Sequence, residues 1–221
     1  MSIPLGSATV APGFASGEAE AILASMVRWL ERAVIGLNLC PFAKSVHVKG
    51  QIHYRLSDAI DRQQVLDELK SELRDLADID PQVRDTTLLI VPRMFSDFYD
   101  FHAFVDRAER CLRQLDLEGV LQIAHFHPQF EFAGTDPDDI TNYTNRAPYA
   151  VLHLIREESI DRAVEAIPDA ETIYERNMQT MRALGESGWE ALGLGAAPVP
   201  VHVPVPVPVP DNCSTDRSNN P

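Results

Sequence analysis

The chain has 221 residues and carries 33 acidic against 19 Lys and Arg side chains, a formal charge of −14. That length suggests one domain with appendages, and a 45% hydrophobic share is enough for a sizeable core. The acidic balance argues against nucleic acid and membrane as partners, since both need a basic surface, and no apolar run approaches the roughly 20 residues of a membrane span.

Residues 1–16 are rich in Ala, Gly, Ser and Pro without a hydrophobic period, and read as a flexible segment. They lack the basic start and apolar stretch of a secretory signal. Cys40, Cys111 and Cys213 are odd in number and widely spaced, which is no disulfide framework. Together these features predict a protein of the reducing cytoplasm.

A single domain is expected over 17–188. Ile22, Met26, Trp29, Leu30, Ala33 and Leu37 recur at helical steps, and Gly36 and Asn38 mark the end of that helix. A strand-like stretch follows from Val46 to Leu56, alternating in its later part. Val65, Leu66, Leu69, Leu73 and Leu76 form a second amphipathic helix, stopped by Pro81. Thr86 to Val91 is a short apolar run, the pattern of a buried strand. Ser96 is placed to cap a third helix. Phe98, Phe101, Val105, Ala108, Leu112 and Leu115 lie along one face of that helix. Gly119 to Phe126 is the next strand, and Val151 to Ile155 another. Two helical patterns close the domain, one through Ile167 and one from Pro168 to Gly185. The order predicts an α/β or α+β fold: a mixed, partly parallel four-stranded sheet with helices packed on it in two or three layers. Residues 189–221 are expected to be a Pro/Val-rich disordered tail. Beyond Ala196 proline recurs at alternate positions, broken only at His202, which suits polyproline II.

Three features point to chemistry. The 22 residues from His127 to Pro148 form a polar loop at the carboxyl end of a predicted strand, where open α/β sheets bind ligands. In it Asn142 and Asn145 offer amides, and Arg146 offers a planar fork for carboxylate or phosphate. The same residues also serve as turn and pinning groups in ordinary loops. His125, His127 and His153 are expected on one side of the sheet, a set suited to Zn²⁺ or another borderline metal. Cys40 stands between Asn38 and Lys44, where a cation lowers a thiol pKa; beside Leu39 and Phe42 it equally suits a small buried hydrophobe.

Four ordered segments carry a resemblance: Asn38-Leu-Cys-Pro-Phe-Ala-Lys44, Phe126-His-Pro128 with Phe132-Ala-Gly-Thr135, Asn142-Tyr-Thr-Asn-Arg146 with Pro148-Tyr149, and Leu152-His-Leu-Ile-Arg-Glu157. Together they resemble the bacterial family called Domain of Unknown Function 1415, over about Ala19 to Leu184. The resemblance implies that Cys40, His127, Asn142, Asn145, Arg146, His153, Arg156 and Glu157 are the family's recurring polar residues. It leaves His125 aside, and makes Arg156 and Glu157 either site residues or a buried ion pair.

The function expected first is an enzyme acting on a small anionic substrate. Arg146, helped by Arg156 or Lys44, with Asn142, Asn145 and Glu157, would hold the substrate. Cys40, His127 and His153 would act as thiol nucleophile and proton carriers, or as ligands of a Zn or Fe ion. The alternatives are a non-catalytic small-molecule or ion binder, and a structural or interaction protein in which these residues rigidify the loop.

Overall fold

The computed structural model describes residues 6–165 and 172–196. The proline-rich repeat, Cys213, Ile167 and Pro168 lie outside them. The order is β1 (Ala8–Val10), α1 (Glu18–Trp29), a π-helical segment (Leu30–Ile35), α2 (Ala43–Val48), β2 (Ile52–Leu56), α3 (Arg62–Asp78), β3 (Thr86–Val91), α4 (Phe98–Gln114), β4 (Leu121–Phe126), a 3-10 segment (Ile140–Asn145), β5 (Ala150–Arg156), α5 (Glu157–Glu165) and α6 (Ile173–Ala191). No helix among the described residues is long and apolar enough to cross a membrane.

The sheet order is β1-β2-β3-β5-β4. β1, β2 and β3 run parallel, and β5 is antiparallel to both of its neighbours. All six residues of β3 are buried, because the strand is covered on both faces. Its period of two sends Leu89 and Val91 beneath α3 and α4, and Leu88 and Ile90 beneath α1. The result is a three-layer sandwich. The phenylalanines of α4 belong to its core: Phe101 and Phe104 pack with Leu69, Leu73 and Leu152. Each such fully buried side chain contributes about 1.5–3 kcal/mol.

Among the described residues the sheet has five strands rather than the four expected. The extra one, β1, comes from the Ala/Gly/Ser-rich start, where three residues are too few to show a period. Backbone pairing holds it, including Tyr54 N–H to Ser7 O at 2.9 Å and Ala11 N–H to Leu56 O at 3.0 Å. At Gly6 a Cβ would lie 2.0 Å from the Ile52 carbonyl oxygen, so only glycine allows that approach. The chain from β1 to β2 crosses on the α1 face, whereas β2 to β3 crosses on the α3 face. Both steps advance the same way along the sheet, so they have opposite hands and only one is the usual right-handed kind.

Three local expectations are corrected. Val46 to Val48 is helical, and β2 begins only at Ile52 after Gly50 turns the chain with φ 68°. Asp97 rather than Ser96 caps α4, accepting from Asp100 N–H at 2.9 Å. The ordered chain also continues past 188 to Ala191, although Gly185, with φ 66° and ψ 176°, does interrupt the helix.

Candidate functional site

The polar loop lies beyond the carboxyl end of β4, as expected, but its side chains are spent on the loop itself. Asn142 is fully buried. Its Oδ1 accepts from Phe132 N–H (3.0 Å) and the Thr135 hydroxyl (2.8 Å), and its Nδ2 donates to Asp136 O at 2.8 Å. Arg146 donates to Phe130 O and Pro137 O, and its guanidinium lies 4.0 Å from the Tyr143 ring centroid. The Asn145 side chain accepts from Thr144, and its carbonyl accepts from His127 N–H at 3.3 Å.

His127 is equally committed. It is 1% exposed, and its Nε2–H donates to the Phe95 carbonyl at 2.8 Å while Nδ1 accepts from Gln129 N–H at 3.0 Å. Its ring stacks on Phe101 at 5.5 Å. Burial holds its pKa below the usual histidine range, so the neutral form persists. Both nitrogens being occupied, His127 latches the β3–α4 loop, where Phe95 takes φ 59°.

The three histidines do not share a face. In the register Ala124 opposes His153 and Leu152 opposes His125. His153 therefore projects toward α1, whereas His125 and His127 lie against α4, with Phe101 within ring contact of both. Cys40 lies on the His153 side. Among the described residues no group of three or more His, Cys, Asp and Glu side chains is arranged to hold a metal ion. The sheet separates His127 from the other two ligands expected with it.

Cys40 and His153 do meet the same space: a cavity of about 880 Å³ on the α1 face. The π-helical segment and α2 form one wall, and α5 the other. Its floor is the sheet, at Ile52, Thr86, Leu88, Ala124, Phe126, His153 and Ile155. Thr86 and Ile52 are the first residues of their strands, so the cavity sits toward the amino ends of the parallel strands, opposite to the expected end. Leu30 and Val34 of the π-helical segment line it, and π turns recur at functional sites. A Cβ on Gly36 would lie 2.3 Å from Arg32 O, so the wide turn requires glycine there. Asn38, with φ 55°, then reverses the chain into Cys40.

Burial pushes the Cys40 thiol pKa up, more than the Phe42 and Ala43 backbone hydrogen bonds lower it. Cys40 is thus a protonated thiol at neutral pH rather than a thiolate favoured by Lys44, which is exposed and does not line the cavity. Burial likewise pushes His153 down to about 4, and its Nε2 lies 2.7 Å from the Thr86 hydroxyl.

Arg156 caps a helix. It donates to the carbonyls of Leu76 and Ile79 at the end of α3 and of Arg84 shortly before β3, so it is held by carbonyls and not by Glu157. Glu157 begins α5, its N–H donating to Val120 O at 3.0 Å.

Sequence reading missed two things. One is the cavity wall, Trp29, Phe126, Lys49 and Arg162; Trp29 is tied to the polar loop by its Nε1–H donating to Arg146 O at 2.8 Å. The other is a charged cluster between β2 and α3, in which Arg84 binds Glu72, and Arg55 lies 3.5 Å from Glu68. The alternating His53 and Arg55, facing Glu68 and Glu72 one helical turn apart, were its sequence signal.

No curated protein and no solved structure matches the chain. A family model described as "Protein of unknown function (DUF1415)" matches residues 21–191. The segments bearing Cys40, His127, Asn142 to Arg146 and His153 all fall within that span, and the chain belongs to this family.

Proposed function

We propose that the chain binds a small organic molecule with an apolar body and an anionic end in the cavity over the α1 face. The lining carries this reading. Trp29, Leu30, Phe42, Leu88 and Phe126 supply apolar walls. The described charged residues there are Lys49, Arg162 and Asp85; Arg162 lies 3.3 Å from Glu158 and 4.0 Å from Asp85, so Lys49 is the cation left at the rim to meet an anionic group. The volume of about 880 Å³ lies within the roughly 300–1,000 Å³ of small-molecule sites. On this reading the polar loop rigidifies the site by holding Trp29, rather than touching the ligand.

The probe is 1-anilinonaphthalene-8-sulfonate, which is apolar and anionic. The expected result is saturable binding of one equivalent, weakened by Lys49→Glu and abolished by Ala124→Trp, which fills the floor. Unsaturable binding, or binding that Ala124→Trp leaves intact, overturns the proposal.

The enzyme reading, with a small anionic substrate, is favoured by one observation: Cys40 and His153 line the same cavity. A nucleophilic Cys40 must pass its proton to a base before it attacks. Its alkylation rate against pH tests this. An inflection well below the ordinary thiol range supports the nucleophile, and one above that range removes it. A Zn or Fe ion on Cys40 and His153 needs further donors, because His127 stands across the sheet.

A further inference from the structure

His153 has a tautomer that its neighbours dictate. The Thr86 hydroxyl has a single hydrogen. It lies 2.6 Å from the Leu154 carbonyl oxygen, which can only accept. Thr86 Oγ1 must therefore donate to Leu154 and accept from His153, 2.7 Å away. The imidazole proton is thus fixed on Nε2, and Nδ1 is left with a bare lone pair. No described residue hydrogen-bonds to Nδ1. The ring borders the cavity beside Phe126, whose centroid is 6.1 Å away, and beside Ala124, its cross-strand neighbour, which is too short to cover it. An acceptor in so apolar a lining leaves one hydrogen-bonding requirement open.

We propose that His153 is the specificity-determining residue of this cavity, accepting at Nδ1 a hydrogen bond from an O–H or N–H group on the ligand's apolar body. The ligand class is then a phenol, alcohol or N–H heterocycle, in preference to the matching ether or hydrocarbon. Burial keeps the ring neutral at physiological pH, so it serves as acceptor and not as a cationic anchor; the anionic end belongs to Lys49 at the rim. This inference rests on the cavity being a binding site.

The test uses the full chain and two probes of similar size, 4-ethylphenol and 4-ethylanisole, each displacing 1-anilinonaphthalene-8-sulfonate. One hydrogen bond predicts that the phenol competes at about fivefold lower concentration. The preference should vanish in His153→Phe. It should also weaken in Thr86→Val, which keeps the imidazole but releases its tautomer. In ¹⁵N-histidine spectra the Nδ1 resonance of His153 should move with the phenol and stay put with the anisole.

Equal displacement by the two probes overturns the role of His153 while leaving the cavity reading intact. A phenol preference that survives in His153→Phe overturns it too. Displacement by neither probe, with no dye bound in the cavity, removes the cavity reading and this inference together. If His153→Phe does not fold, the Thr86→Val displacement ratio and the ¹⁵N shift decide the matter.

Discussion

His127→Phe separates a structural histidine from a catalytic one. The substitution keeps an aromatic ring against Phe98 and Phe101, whose centroids lie 5.7 and 5.5 Å away, and deletes both ring nitrogens. The Phe95 carbonyl then loses its 2.8 Å donor, and the Gln129 N–H loses its 3.0 Å acceptor. Phe95 is buried, so leaving its carbonyl unpaired costs about 1–3 kcal/mol, and the more accessible Gln129 N–H adds up to about 1 kcal/mol. The sum is about 1–4 kcal/mol. For a chain of this size that lowers Tm by roughly 2–16 °C. Urea unfolding followed by circular dichroism measures it, with an unchanged m-value showing that only stability moved. Amide exchange should quicken first in the β3–α4 loop, where Phe95 loses the bond that holds its φ of 59°. Binding of the dye in the cavity should persist, since His127 lies on the other face of the sheet. A loss below about 0.5 kcal/mol, within the ordinary range of surface substitutions, would refute the latch.

Two further predictions follow from the buried polar groups. The pKa of His53 is pushed down to about 4 by burial and by Arg84 and Arg55, and those of His125 and His153 to about 4 mainly by burial. A basic group with a depressed folded-state pKa binds more protons when unfolded, so its contribution is full above the unfolded value and is lost as pH falls toward the folded one. The urea midpoint should therefore drop between about pH 6.5 and pH 4. Proton NMR titration of the His53, His125 and His153 rings near pH 6.5 would contradict the cause. Arg156→Met keeps much of the side-chain volume but strips the carbonyls of Leu76, Ile79 and Arg84 of their donor. It should destabilise by about 2–4 kcal/mol and speed exchange at the end of α3; the same loss in Glu157→Gln would indicate instead that the two residues act as a pair.

Short-range pattern was enough for much of the fold. The apolar steps of Val65, Leu69, Leu73 and Leu76 and the run Thr86 to Val91 read correctly because each carries the period of its own element, 3.6 or 2, within a few residues. β1 was illegible for the converse reason: it exists by pairing with β2, and pairing is not a local property. The helix over Ala43 to Val48 was missed because Val46, His47 and Val48 fit a strand equally well until Gly50 turns the chain. The π-helical segment shares the apolar spacing of the helix before it, so only the backbone hydrogen bonds tell the two apart.

What the sequence determined by itself was the α/β class, the long loop with its polar residues, and family membership through ordered motifs. What only the tertiary structure decided was which of those residues are free. Asn142, Arg146, His127 and Arg156 are the residue types of a ligand site, yet each finds its partners on carbonyls, amides or hydroxyls of its own chain. His127 and His153 are set on opposite faces by the register of β4 on β5, a relation between strands joined by a long connection. Cys40 and His153, 113 positions apart in the numbering, come to one cavity because the π-helical segment and α2 pack over the sheet. Residue type states what a side chain can bind; burial and pairing across the fold settle what it has already bound.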